Sequence, residues 1–130
     1  MPRFGSDSQR QLATLDPLLQ QLLNEAIKTF DFKILEGHRG QEKQHACFLS
    51  GASKLDWPHG AHNSLPARAV DLAPCPVDWK DEKRWHYFIG FMIGLAQGMG
   101  IDIISGHDWD HDNDLEEHSF QDSPHLELRK

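Results

Sequence analysis

Cysteine is scarce. Cys47 and Cys75 are the two in the chain, far apart and with no CxxC, which excludes a disulfide framework and a thiolate zinc site and leaves two reduced thiols. Long apolar runs are missing as well: the longest, Phe88 to Ala96, falls well short of the roughly 20 residues that a membrane helix needs. The opening Met1-Pro2-Arg3-Phe4-Gly5-Ser6 carries a positive charge without an apolar segment behind it, so no secretory signal is read. Basic residues are the minority, 13 Lys+Arg against 20 Asp+Glu for a net charge of -7, and such a chain gains nothing from the counterion release that drives nucleic-acid binding. The expectation is a protein made in the cytoplasm, with no membrane span and no nucleic-acid partner.

What is present suffices for one core. At 130 residues, with 38% hydrophobic, 25% charged and 9% aromatic composition, residues 1–130 fit a single domain and are too mixed for wholesale disorder. No internal repeat is visible. Leu15, Leu18, Leu19, Leu22, Leu23, Ala26, Ile27 and Phe30 recur at helical spacing behind Asp16-Pro17, an N-cap followed by proline at the first helical position. Residues 32–36 read as a short strand and residues 40–50 as a second helix stopped at Ser50-Gly51. Residues 52–66, rich in Gly, Pro, Ser and His, have neither period and read as a loop. Ala69 to Ala73 reads as a strand stopped by Pro74, Asp81 to Gln97 as the longest helix, and Ile101 to Ser105 and His125 to Leu128 as two further strands. The fold class is α+β, with helices packed on a small, mostly antiparallel sheet.

Nine His residues carry the functional signal. His62 lies in the loop, Asp71 sits between Ala69-Val70 and Leu72-Ala73, and His125 opens the last strand three residues after Asp122. A carboxylate inside an apolar strand is costly to bury unless it is paired or bound to a cation. Two His and one Asp make a three-ligand zinc site with one open position, the arrangement in which a water is deprotonated near neutral pH. Asp122 is the nearby carboxylate to take that proton. His59 forms a His-x-x-His pair with His62, but that pairing would leave Asp71 without a buried purpose. The four tryptophans, Trp57, Trp79, Trp85 and Trp109, read as core or cleft-wall packing.

These residues fall in an order that resembles the phage endolysins that are L-alanyl-D-glutamate peptidases, relatives of the zinc D,D-carboxypeptidases of bacterial walls. The resemblance runs from about residue 4 to the C-terminus. It is carried by the segment Leu12 to Leu19 around Pro17, by Gly37-His-Arg39 with Gln44, by His62 with Ala69-Val70-Asp71, by Gly106-His-Asp108-Trp109 and by Asp122-Ser-Pro-His125-Leu-Glu127-Leu128. Two departures stand out: Gly60 occupies a position often held by Ser, and the His62-to-Asp71 gap is longer than in many members. The resemblance implies zinc on His62, Asp71 and His125, Asp122 as general base, and Arg39 on the charged substrate or the developing oxyanion. Gln44 and His107 are the further candidate substrate contacts, with His107 either facing the cleft or simply exposed. The implied reaction is hydrolysis of the L-Ala-D-Glu bond of the peptidoglycan stem peptide by a monomer without a separate wall-binding domain, acting in the periplasm once the membrane is permeabilised. A D,D- or L,D-carboxypeptidase on the same scaffold is the alternative, and a non-catalytic zinc- and calcium-binding module is another.

One acidic segment is not absorbed by the zinc site. Asp108, Asp110, Asp112 and Asp114 stand at every second residue, as in the first half of an EF-hand loop, and would repel one another without a cation. Asn113 replaces the usual Gly and Ser119 the usual Glu, so calcium binding there competes with a plain solvated loop. Some phage peptidases of the resembling family are regulated by calcium at the corresponding loop.

Overall fold

Residues 2–53, 55–106 and 122–129 are described by the structure, a computed structural model, with the backbone alone at 106 and 122–124. In chain order the elements are α1 (Ser6–Leu12), α2 (Pro17–Ala26), β1 (Phe32–Glu36), α3 (Gln41–Ser50), β2 (Ala69–Pro74), α4 (Glu82–Gly98), β3 (Ile103–Gly106) and β4 (Asp122–Leu128). The strands form one sheet in the order β1-β2-β4-β3, and every pairing is antiparallel. This is the α+β architecture expected from the periodicities.

Helices α2 and α4 start where their caps dictate. Asp16 Oδ1 accepts a hydrogen bond from Leu18 N at 2.9 Å ahead of Pro17, and Asp81 Oδ1 accepts from Arg84 N at 3.2 Å. Leu19, Leu22, Leu23 and Ala26 of α2 and Trp85, Phe88, Ile89, Met92 and Ala96 of α4 are buried. All of these but Trp85 close over Phe32 and Ile34 of β1, Val70 and Leu72 of β2 and Leu126 of β4 in one core. Phe30 and Phe32 bring their rings to 5.1 and 5.3 Å from that of Phe88, tying the start of β1 to α4.

Helix α1 has no counterpart in the periodic reading, and its role explains why. β1 is an edge strand, so its outward backbone donors need partners from elsewhere. Ser8 Oγ accepts from Ile34 N at 3.0 Å, Gln11 Oε1 from Gly37 N at 3.0 Å and Thr14 Oγ1 from His38 N at 2.9 Å. Polar side chains at roughly one-turn spacing thus cap the sheet edge, and no apolar stripe is required. The approach is close: a Cβ on Gly37 would lie 2.4 Å from Thr14 Oγ1 and 2.8 Å from the Gln11 carbonyl.

Strand β4 begins three residues earlier than its apolar alternation suggests. Its register with β3 is interrupted between Ser105 and Gly106, over the stretch containing Pro124, which has no N–H for the ladder. The loop before β2 has no helix or strand among its described residues, and it is anchored where Ala67 donates to Thr14 O at 2.8 Å and accepts from Asp16 N at 2.9 Å.

Candidate active site

Strand pairing sets the site. Val70 and Leu72 turn into the core, so the two-residue period puts Asp71 on the opposite face of β2. Asp71 is the register partner of His125 on β4 and of Glu36 on β1, which makes a row across three strands. His62 joins from the loop. Its Nδ1 lies 2.7 Å from the Gly37 carbonyl, an acceptor only, so Nδ1 carries the proton and Nε2 presents a bare lone pair.

His62 Nε2 and His125 Nδ1 each lie 3.3 Å from Asp71 Oδ1. The Nε2 of His125 is 2.9 Å from Glu127 Oε1, so the two imidazoles use different nitrogens toward Asp71. All three ligand-type atoms fall within 4.8 Å of one another, with His62 3% and His125 7% exposed. Both His62 Nε2 and Asp71 Oδ1 are buried without a hydrogen-bond partner. Two buried acceptor atoms facing each other are unfavourable by themselves, and a cation between them supplies what each lacks. The donor set therefore fits a metal ion. Burial disfavours charge on Asp71, but where the imidazoles are protonated in place of a bound cation, hydrogen bonds and charge from His125 and His62 outweigh it and hold the carboxyl below the ordinary carboxylate range.

A second layer surrounds the cluster. Arg39 NH2 lies 3.6 Å from Asp71 Oδ2, its NH1 donates to Gln44 Oε1 at 3.0 Å, and its Nε donates to Glu36. Lys43 also pairs with Glu36. Arg39 thus lies beside Asp71, with its guanidinium engaged by Glu36, Gln44 and Asp71. Gln44, expected as a substrate contact, is 1% exposed and donates to Ser53 Oγ and the Leu55 carbonyl. His59 is exposed, and the structure brings His62, not His59, to Asp71.

The remaining expectations fall elsewhere. His107, the four aspartates Asp108, Asp110, Asp112 and Asp114, and Trp109 lie outside the described residues, as does the side chain of Asp122, whose backbone opens β4. Trp85 is buried with its Nε1 donating to Asp78 O at 2.9 Å, while Trp79 stacks on it with ring centroids 4.9 Å apart. Residues that the sequence reading passed over include Glu36 and Asn63, 8% and 5% exposed. Glu36 comes opposite Asp71 through a shift of the β1–β2 register between Ile34 and Glu36, which plain alternation from Phe32 and Ile34 does not foretell. Asn63 had no signal beyond its place next to His62.

Comparisons with known proteins identify the family. The profile of the family described as phage L-alanyl-D-glutamate peptidase matches residues 1–129. The L-alanyl-D-glutamate peptidase of Escherichia phage T5 is 30% identical over 134 aligned positions, covering 97% of each chain. The crystal structure of the Serratia marcescens L-Ala D-Glu endopeptidase ChiX superposes with a TM-score of 0.77 at 21% identity, over 98% of this chain and 90% of that one, and so shares the fold. With a full-length profile match and a full-length relative of that activity, the chain belongs to the phage L-alanyl-D-glutamate peptidase family.

Proposed function

We propose that this peptidase holds zinc on His62 Nε2, Asp71 Oδ1 and His125 Nδ1 and cleaves the L-Ala-D-Glu bond of the peptidoglycan stem peptide. The observation that carries the metal is the pair of buried, unpartnered atoms, His62 Nε2 and Asp71 Oδ1. Their spacing supports zinc, because ligand atoms at ~2.0–2.1 Å from a tetrahedral ion stand roughly 3.3–3.4 Å apart. Both measured edges to Asp71 Oδ1 are 3.3 Å. Bound there, zinc supplies a Lewis acid that polarises the scissile carbonyl and lowers the pKa of the attacking water.

The protein's own groups do the rest. The Gly37 carbonyl and Glu127 hold the two imidazoles in the tautomers that point lone pairs at one spot. Arg39 sets a positive charge beside Asp71 Oδ2, with the other oxygen turned to the imidazoles. Asp122 takes the proton of the attacking water at its carboxylate and returns it to the leaving D-Glu amine. Its support is the three-residue spacing to His125 on one strand. One chain contributes all three ligand atoms, which supports a monomer as the active unit. The substrate places its action in the periplasm, on the cell wall.

Mass analysis of digested peptidoglycan tests this reading. The expected products are glycan stems that keep only L-Ala and peptides that begin with D-Glu. Release of free D-Ala alone would instead mark a carboxypeptidase, and no product from zinc-loaded protein would refute catalysis.

A further inference from the structure

Gln44 is the most completely enclosed polar side chain near the cluster, and nothing in the reaction uses it. Its Oε1 accepts from Arg39 NH1 at 3.0 Å and from Asn63 Nδ2 at 3.1 Å. Its Nε2 donates to Ser53 Oγ at 2.9 Å and to the Leu55 carbonyl. Two donors and two acceptor positions are the full capacity of a primary amide, so Gln44 is saturated and cannot flip without setting its NH2 against a guanidinium. Its partners are chosen unusually. Arg39 meets Asp71 through NH2, and its backbone N–H donates to His62 O at 2.8 Å. Asn63, next to His62, also donates to the Arg39 carbonyl at 3.1 Å, while its Oδ1 accepts from Gly60 N at 2.8 Å.

We propose that Gln44 is a positioning residue for the metal centre, with Asn63 as its relay: one buried amide fixes the Arg39 guanidinium against Asp71 and the backbone that presents His62. Two of the three ligand atoms are set from this single point. Gly60 belongs to the same device, since a Cβ there would stand 2.8 Å from Asn63 Oδ1 and 3.1 Å from Gln44 Oε1. The packing thus requires glycine for the amide pair to close. The inference rests on the reading of His62, Asp71 and His125 as the metal ligands.

The test compares wild type with Gln44→Met, which keeps length and bulk but accepts and donates nothing comparable. Zinc affinity is measured by chelator competition, the visible spectrum is recorded with Co2+ in place of zinc, and kcat and KM are measured on a soluble stem peptide. Expected for Gln44→Met are zinc binding weakened about 10–100-fold, the loss typical when support behind a metal ligand is removed, an altered Co2+ spectrum, and a fall in kcat with KM within about twofold. A raised KM with unchanged zinc affinity and Co2+ spectrum would overturn the proposal and return Gln44 to substrate binding. If Gln44→Met does not fold, Asn63→Ala cuts the relay from the loop side while leaving Gln44 bonded to Ser53 and Leu55. Zinc affinity and spectrum equal to wild type in Asn63→Ala would overturn the relay. Wild type that binds neither metal would refute the underlying metal reading, an outcome distinct from variants that bind as wild type does.

Discussion

Zinc addition to metal-free protein should raise its melting temperature by an amount the structure allows to be worked out. The ligand atoms are gathered within 4.8 Å in the folded chain, on a loop and two strands that unfolding separates, so the ion binds the native state and little else. At free zinc about 1,000-fold above the dissociation constant, that preference stabilises the fold by about 4 kcal/mol. Unfolding entropy of about 2.1 cal/mol/K per residue comes to ~0.27 kcal/mol/K for a chain of this size, so the shift is ~15 °C. In His62→Ala the carbonyl of Gly37 loses its ring and zinc loses a ligand. If binding weakens about 1,000-fold, the same zinc concentration contributes only about 0.4 kcal/mol, under ~2 °C. His59→Ala changes an exposed loop position and should keep the full shift. Differential scanning calorimetry with and without zinc measures all three proteins. No shift in wild type, or equal shifts in wild type and His62→Ala, would refute the ligand assignment. The pH course separates two effects. The zinc-dependent shift shrinks toward acid, because the ion needs neutral imidazoles. The metal-free protein behaves differently at Asp71, whose folded pKa is depressed. Its stabilising contribution is fully present above the ordinary carboxylate range near roughly pH 4 and disappears only as pH falls below it.

Three further predictions follow from other parts of the molecule. Asp122→Asn should retain one zinc per chain by metal analysis while kcat falls about 10²–10⁴-fold; an unchanged rate would move the base to another group, and lost zinc would make Asp122 a ligand or its support. Gly37→Ala drives a Cβ into Thr14 Oγ1 and the Gln11 carbonyl, so denaturant titration should show about 1–3 kcal/mol of lost stability, with weaker zinc binding because the Gly37 carbonyl also holds His62; wild-type stability would contradict the close approach. Calcium should raise turnover at fixed zinc through Asp108, Asp110, Asp112 and Asp114, and Asp110→Ala combined with Asp112→Ala should remove that response; calorimetry with no heat at millimolar calcium would reject the acidic segment as a site.

The parts of the fold legible in the sequence are those written in periodicity. Leu19, Leu22, Leu23 and Ala26 repeat at the helical interval because they face one core, and Asp16 and Asp81 mark helix starts because their side chains must satisfy free N–H groups there. Helix α1 was not legible because its work is polar. Ser8 and Gln11, with Thr14 just beyond the helix, supply acceptors to β1 and the two residues after it, and no hydropathy pattern records a hydrogen bond between residues some two dozen positions apart.

The site divides along the same line. Asp71 was legible because an acid in an apolar strand needs a reason, and His125 because it stands in phase with Glu127 on an alternating strand. Between His59 and His62 the sequence offered only indirect grounds, since both lie in an aperiodic loop; the decisive contact is with the Gly37 carbonyl, a backbone atom with no sequence signature. Gln44 was legible as relevant, and its role was not, for a related reason. Spacing identified it one helical turn beyond Arg39, but spacing does not say which side of Arg39 the amide approaches. In the structure its Oε1 accepts from Arg39 NH1 while NH2 of the same guanidinium faces Asp71. A polar residue near reactive groups is read most readily as a ligand contact, yet an amide with every donor and acceptor used has nothing left for a ligand. Its capacity is spent on Arg39, Asn63, Ser53 and Leu55, three of which lie on or beside the loop that delivers His62. Precision in a metal centre on such a loop must come from partners of this kind, because the described residues of the loop form no helix or strand to set it.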